Sequence, residues 1–443
     1  TLGLFPELDG VYDTPYRETL VTTKVTMNLS PKHFVSVRYG RNQNSQPYGA
    51  SPNSPPSSWG DSKNTFNSVN VNHNWVLGGS KLNEFIFQYA TFLNGISANS
   101  TDPAQAFPNG VYVGQSVNTP QMTNQKKWQF RDDFSWHLTG GGGLGHDFKV
   151  GVNFINEPRL YVTFESGKGV MYYSHMDDTI DGPLAAVSMA DGEAKANIPM
   201  KQYGMYFQDD WRLTNDLTLN LGVRYDYLSG YQYDQSNNPN FVKIQAAGKA
   251  GLLKGIKGLE NAGLDPEEDK SNIQPRIGAV WDLRGDGRDV IRAGWGIYMD
   301  MAYTNSNGLF AAFDAQGRFG DVIDISDSTG IRNPDGSFYR IGQPLSNILG
   351  QNQADPNELP LYGQWVDPRL KMPRTYQTAV GWSHQLTSST VFTADFVRAD
   401  GHTLHAPIII ADVAAKAAKP GDQVVVEIVQ YPSATRAARG VIV

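Results

Sequence analysis

The chain has 443 residues, of which 40% are hydrophobic and only 18% charged, and its net charge is −7. That balance offers nothing general to nucleic acid, and the lack of any cysteine excludes disulfides, thiol nucleophiles and thiolate metal sites. No apolar run approaches the roughly 18 residues of a membrane-spanning helix.

The opening "TLGLFPELDG" has neither the basic region nor the apolar core of a signal peptide. Any export signal is therefore expected to have been removed, or the chain to be an internal piece of a longer one. Alternating segments then arrive in pairs. Val25, Met27 and Leu29 lead through "SPKH" to Val35, Val37 and Tyr39. Val69, Val71 and Trp75 lead through "LGGS" to Phe85, Phe87 and Tyr89. Trp128, Phe130, Phe134 and Trp136 run into "TGGGGLG", followed by Phe148, Val150, Val152 and Phe154. The fourth pair, "YFQDDWRLTNDLTLNLGVRYDY", turns at "TND" and puts Leu217, Leu219, Leu221, Val223, Tyr225 and Tyr227 on alternate positions. Ile277, Ala279 and Trp281 turn at "RGDG" into Ile291, Ala293, Trp295 and Ile297, and Val380 and Trp382 turn at "TSS" into Phe392, Ala394 and Phe396. A period of two with reversal-prone residues between the halves predicts β-hairpins, each strand with one oily and one polar face.

The connections between hairpins, near 42–63, 93–124, 157–199, 230–272 and 300–372, are long and rich in Asn, Ser, Gly, Pro and Asp. They read as irregular loops. Short turns and long loops alternate strictly, which would collect all tight turns at one end and all long loops at the other. Outer-membrane barrels have that asymmetry.

Trp75, Trp136, Trp211 and Trp281 each stand just ahead of a short turn, in "WVLGGS", "WHLTGG", "WRLTND" and "WDLRGD". Indole favours a bilayer–water boundary, where its N–H stays wet, so these four are expected to form an interfacial girdle facing outer-membrane lipid. The competing reading is Trp packed inside a large soluble β-fold. Asp132 and Asp209 do not fit: each shares the parity of a Trp, in the similar words "FRDDFSW" and "FQDDW". A carboxylate facing lipid is costly, and a β-bulge that re-aims one residue is the expected remedy.

"YGMYFQDDWRLTNDLTLNLGVRYDYLSG" resembles a barrel hairpin of TonB-dependent outer-membrane receptors. "NIQPRIGAVWDLRGDGRDVIRAGWGIYMD" and "MPRTYQTAVGWSHQLTSSTVFTADFVRADGHTLH" look like the Oar-like branch, whose members often carry an N-terminal carboxypeptidase-regulatory-like domain. The likeness covers roughly residues 15–405. It implies an all-β, antiparallel transmembrane β-barrel of 22 strands around an N-terminal plug, with short periplasmic turns and long extracellular loops. About twelve strands are legible, so residues 1–405 are expected to be part of such a barrel, with no plug or TonB box in view. The inward set would include Lys149, Asn153, Arg224, Asp226, Arg276, Asp282 and Arg292, lining a polar lumen. The implied location is the outer membrane of a Gram-negative-type bacterium, and the implied energy source is the TonB–ExbB–ExbD complex acting through the plug. Residues 406–443 change character, and "KPGDQVVVEIVQYPSATRAARGVIV" looks like a cold-shock or OB-type segment of ribonuclease R-like exonucleases. It reads equally as one more strand with a short basic end and as a chimeric or misassembled terminus.

No constellation argues for an enzyme, a cofactor or a metal. His402 and His405 in "GHTLH" have ligand-like spacing without a carboxylate cluster. "ESGKGV" lacks P-loop spacing. Asp282, Asp286 and Asp289 lack the terminal Glu of a calcium loop. The neighbouring carboxylates Asp132/Asp133, Asp177/Asp178 and Asp209/Asp210 point to opposite faces of an extended chain. Uptake of a large, scarce solute of unknown identity leads the functional readings, with "YVTFESGKGVMYYS" and "DQSNNPNFVK" as loop surfaces that contribute to capture. An Oar-like adhesion or protein-export barrel and a secreted, β-rich polysaccharide-binding protein or hydrolase are the alternatives.

Overall fold

In a computed structural model of the chain, the described residues are 3–164, 169–191, 194–256, 258–300, 309–316, 320–350, 365–402, 426–430 and 439–442. β1 (Arg17–Ser30) turns into β2 (His33–Tyr48), and β3 (Gly60–Gly78) into β4 (Lys81–Ala98). Two short strands, β5 (Ala104–Ala106) and β6 (Tyr112–Val113), precede the hairpin of β7 (Gln121–Thr139) and β8 (Gly145–Phe164). Three more, β9 (Tyr172–His175), β10 (Leu184–Asp191) and β11 (Ala194–Asn197), lead to β12 (Met200–Arg212) and β13 (Leu217–Ser229). β14 (Ile273–Asp282) and β15 (Asp289–Met299) follow, then β16 (Gly320–Ser326), β17 (Arg374–Thr387) and β18 (Thr390–His402). β19 (Val426–Gln430) and β20 (Arg439–Ile442) pair with each other.

Twelve strands make one meander, in the order β1-β2-β3-β4-β7-β8-β12-β13-β14-β15-β17-β18, with β11 joined to β8. Every neighbour along this path is antiparallel and next in line, so the short turns share one end and the long connections the other. The expected hairpins are all present. The sheet is a single open layer: Val152 and Ile277 are each 55% exposed and Phe396 62%, although all three are apolar and sit mid-strand. The glycine run after β7 is a requirement of its turn, because Gly140, Gly141 and Gly142 all have φ between 85 and 101°, where a Cβ is strained.

Three features differ from the sequence expectation. The strands are longer, up to 20 residues in β8, against the roughly 9–11 that cross a bilayer. Residues 42–48 and 60–63, read as loop, are strand. Their text is polar on both faces, so no alternation marks it. Side-chain amides brace it instead: Asn44 Nδ2 donates to Asn42, Asn64 to Asn44 and Asn94 to Asn64, each at 2.9 Å.

The long connections are also folded and not irregular. Strands from three of them assemble a second sheet, β16-β10-β9-β5-β6, in which β5 and β9 run parallel. The buried apolar residues gather at this end of the molecule. Tyr173, Leu184, Val187, Ile323, Ile325 and Ile331 form one cluster. Another joins Ala194, Ala196 and Ile198 to Leu228, Phe313 and Met372. The helix Pro239–Lys249 starts with Pro at its first turn and is capped by Asn238, whose side chain accepts from Asn240 N and Phe241 N. It buries Phe241 and Ile244 beside Trp365.

A fully buried carboxylate ties two of these connections together. Asp269 accepts hydrogen bonds from Ser271 N (3.0 Å) and Oγ (2.6 Å), from Lys371 Nζ (3.1 Å) and from Met372 N (3.2 Å), with Arg374 Nη2 at 3.6 Å. Burial pushes its carboxyl up, but the hydrogen bonds from Ser271, Met372 and Lys371 outweigh that and bring the pKa down to about 2. A carboxyl with a depressed folded-state pKa stabilises fully above its unfolded value, about 3.9, and that contribution disappears as pH falls through the folded value. Hydrogen exchange, corrected for intrinsic rates, should therefore show 265–272 and 366–374 loosening together between about pH 4 and pH 2. Asp269→Asn should loosen both segments at neutral pH and remove the acid transition.

Candidate functional site

The polar face of the meander carries a connected ionic network. Asp133, only 3% exposed, takes Arg131 Nη2 at 2.5 Å and Lys149 Nζ at 3.7 Å on one oxygen and the Tyr206 hydroxyl at 2.8 Å on the other. Lys149 also reaches Glu84 at 3.3 Å. Gly151 lies between Asp133 and Tyr206 in register. A Cβ there would come within 2.3 Å of both side chains, so this glycine opens the space in which they meet. Arg224 forks onto Asp226 at 2.5 and 2.6 Å, Gln129 donates to Asn153 at 2.6 Å, Arg276 lies over the Tyr298 ring at 4.5 Å, and Arg292 reaches Asp395 at 3.4 Å. Arg131, Lys149, Asn153, Tyr206, Arg224 and Arg276 border one open cleft of about 480 Å³.

Six of the seven residues expected on the inner face thus take part in side-chain contacts there. The seventh, Asp282, serves its own turn, accepting from the backbone N–H of Arg284, Gly285 and Gly287. Arg131, Asp133, Tyr206 and Glu84 were missed as members of the network. Strand parity alone would have placed them on this face.

On the apolar face, the four tryptophans follow a regular path through the register. Trp75 pairs with Asn83 and Asn83 with Phe134, so Trp136 stands two residues nearer the turn. Trp136 pairs with Phe148 and Phe148 with Asp209, and Trp211 is again two nearer. Trp211 pairs with Leu219 and Leu219 with Ala279, and Trp281 repeats the step. Each step crosses two strands, which is one residue per strand. A rise of about 3.4 Å over a strand spacing of about 4.8 Å corresponds to a lean of about 35°. Strands that lean by that much, as barrel strands do, keep such rings level.

The bulge expected at Asp132 and Asp209 is absent, since the register runs unbroken through both. Each carboxylate has a partner on its own face, although Asp209 Oδ1 is buried without a hydrogen bond. Asn83 Nδ2 donates to Asp132 at 2.7 Å, and His146 Nδ1 donates to Asp209 at 2.8 Å. His146 is itself stacked between Phe148 and Trp211. The arrangement recurs on β15 and β17, where His384 Nδ1 donates to Asp289 at 2.5 Å and stacks on Trp382. A carboxylate paired with a ring nitrogen under aromatic cover is far cheaper to expose to lipid than a bare one.

Among the described residues no three or more His, Asp or Glu side chains converge as metal ligands. His405 and residues 165–168 of "ESGKGV" lie outside the described residues. Asp286 caps Arg288 N, and Asp177 and Asp178 accept from Thr179 N and Asn109 N. The loop words expected to offer ligand surface are partly structural: Tyr173 belongs to the core of the second sheet, and Asn238, Asn240 and Phe241 are buried at the start of the helix.

Comparison with known proteins agrees with this geometry. The family model for the outer membrane beta barrel domain matches residues 10–436. The TonB-dependent transporter Oar of Myxococcus xanthus is 25% identical over 237 residues, which are 49% of this chain and 19% of Oar. The crystal structure of the outer membrane transporter YddB from Escherichia coli superposes with a TM-score of 0.55 at 13% identity, over 87% of this chain and 40% of that one. The chain therefore spans less than half the length of either relative.

The network around Asp133 is testable by substitution. Asp133→Ala should lower stability by about 1–3 kcal/mol and Tyr206→Phe by about 1 kcal/mol, read as urea midpoints in detergent micelles. The Tyr206→Phe loss should vanish when Asp133 is already Ala. An equal loss in both backgrounds would contradict the contact.

Proposed function

This chain belongs to the family of outer membrane beta barrel domains, and from that premise we propose that it forms wall and extracellular loops of a receptor for TonB-energised uptake of a large, scarce solute. Its place is the outer membrane of a Gram-negative-type bacterium, with short turns toward the periplasm and long connections outside. A single observation carries the reading: among the described residues, the sheet leaves its apolar face uncovered while the buried clusters collect in the long connections. The apolar face meets lipid hydrocarbon. Trp75, Trp136, Trp211 and Trp281 mark its periplasmic boundary, where indole is favoured. The network of Arg131, Asp133, Lys149, Tyr206 and Glu84, with the separate Arg224–Asp226 pair, lines the lumen, where water and partner groups keep charge inexpensive. Energy from TonB–ExbB–ExbD would enter through a plug occupying that lumen, and the folded loop layer would hold the solute before passage. Residues 1–405 serve as this wall.

A second reading keeps the barrel and makes the loops the working surface, for adhesion or protein export. The sheet built from three loops favours it, because a pre-folded surface suits a protein partner.

Two measurements test these readings. Val152→Arg, on the apolar face, should cost about 2–4 kcal/mol in phospholipid vesicles, whereas Asn153→Arg on the other face should cost much less. Equal costs would contradict lipid contact. For uptake, the full receptor should accumulate a panel of ferric chelates and corrinoids only in cells with working TonB. Accumulation unaffected by loss of TonB, or none alongside strong cell–cell binding, would favour the second reading.

A further inference from the structure

We propose that His33 and His73 form a two-imidazole site for a divalent transition metal, best suited to Cu(II), on the apolar face at the turn end of β2 and β3. The pair is set by the backbone. His33 pairs with Trp75 and Val35 with His73, so the two histidines are diagonal neighbours on adjacent antiparallel strands. Their rings are parallel within 4°, and His33 Nδ1 lies 3.0 Å from His73 Nε2. Trp75 covers the His33 ring at 5.4 Å and 21°, which restricts its rotation. Both histidines are half-buried.

The spacing is compatible with one ion held by both rings. Metal–imidazole bonds of about 2.0–2.1 Å put two nitrogens about 2.9 Å apart at adjacent corners of a square, but about 3.3 Å apart on a tetrahedron. The 3.0 Å set by the hydrogen bond between the rings lies nearer the edge of the square. Tetragonal N,O sites favour Cu(II) and Ni(II), and Cu(II) stands highest in the divalent series. Without metal the two facing nitrogens share one proton in a hydrogen bond. With metal each ring stays neutral and keeps its proton on the far nitrogen, Nε2 of His33 and Nδ1 of His73. Water fills the remaining corners. The site is accordingly exchangeable and distinct from a closed structural centre, which needs four protein ligands.

The histidines of the other aromatic clusters do not duplicate it. His146 and His384 each direct Nδ1 at a carboxylate, Asp209 and Asp289, and those pairs present one imidazole apiece. The comparison gives the test its control.

The full chain in detergent micelles, titrated with Cu(II) alone, is read by electron paramagnetic resonance and calorimetry. One equivalent is expected to bind with hyperfine splitting from two nitrogens. His33→Asn and His73→Gln should each weaken binding by at least about tenfold, since loss of even a supporting outer group costs about that much. His384→Gln should leave it unchanged, and Zn(II) should compete poorly. Circular dichroism confirms that each variant keeps its β content, and His73→Ala serves if His73→Gln does not fold. A one-nitrogen spectrum, or Cu(II) affinity unaltered in the folded His33/His73 double variant, would overturn the proposal.

Discussion

The structure depends on backbone hydrogen bonding within one layer. Ten of the twelve strands are paired on both sides, and only β1 and β18, at the two ends of the open sheet, are paired on one, so between those edges the sheet needs no second layer to satisfy its N–H and C=O groups. Hydrocarbon tolerates a backbone only on those terms. Between those edges the side chains are free to meet different surroundings on the two faces. Among the described residues the apolar face has no protein cover along its middle, and the polar face holds its charges in contact with each other.

Conventional burial is thus displaced to one end. Leu184, Val187, Ala194 and Ile348 are completely or almost completely enclosed, and all lie in the long connections. There water is the solvent and apolar residues cluster for the usual reason. One chain therefore obeys two opposite rules, apolar outside along the wall and apolar inside within the loops. The buried Asp269 belongs to the second regime, where a charge persists only because several donors converge on it.

Much of the wall was legible in the sequence because alternation is a local signal. Leu217 to Tyr227 read as one face, and Lys149, Asn153, Arg224 and Arg276 fell on the other, as the register places them. Relations between hairpins were not legible. The partnership of His146 with Asp209, or of Asp289 with His384, depends on the register between strands separated by long connections. Without it Asp209 looked like a misfit needing a bulge. The extensions at 42–48 and 60–63 escaped because polar residues stand on both their faces. The second sheet escaped because its strands are short and come from three separate connections, so no single stretch carries the pattern.

The central claim is that the apolar face touches lipid chains. The sequence contains no cysteine, so a single introduced cysteine can carry a fluorophore without background labelling. Labels at Val223 and Ile277, in vesicles whose acyl chains are brominated at mid-depth, should be strongly quenched, and labels at Gln208 and Gly222 should not. Equal quenching at all four positions, or none at Val223 and Ile277, would contradict the account.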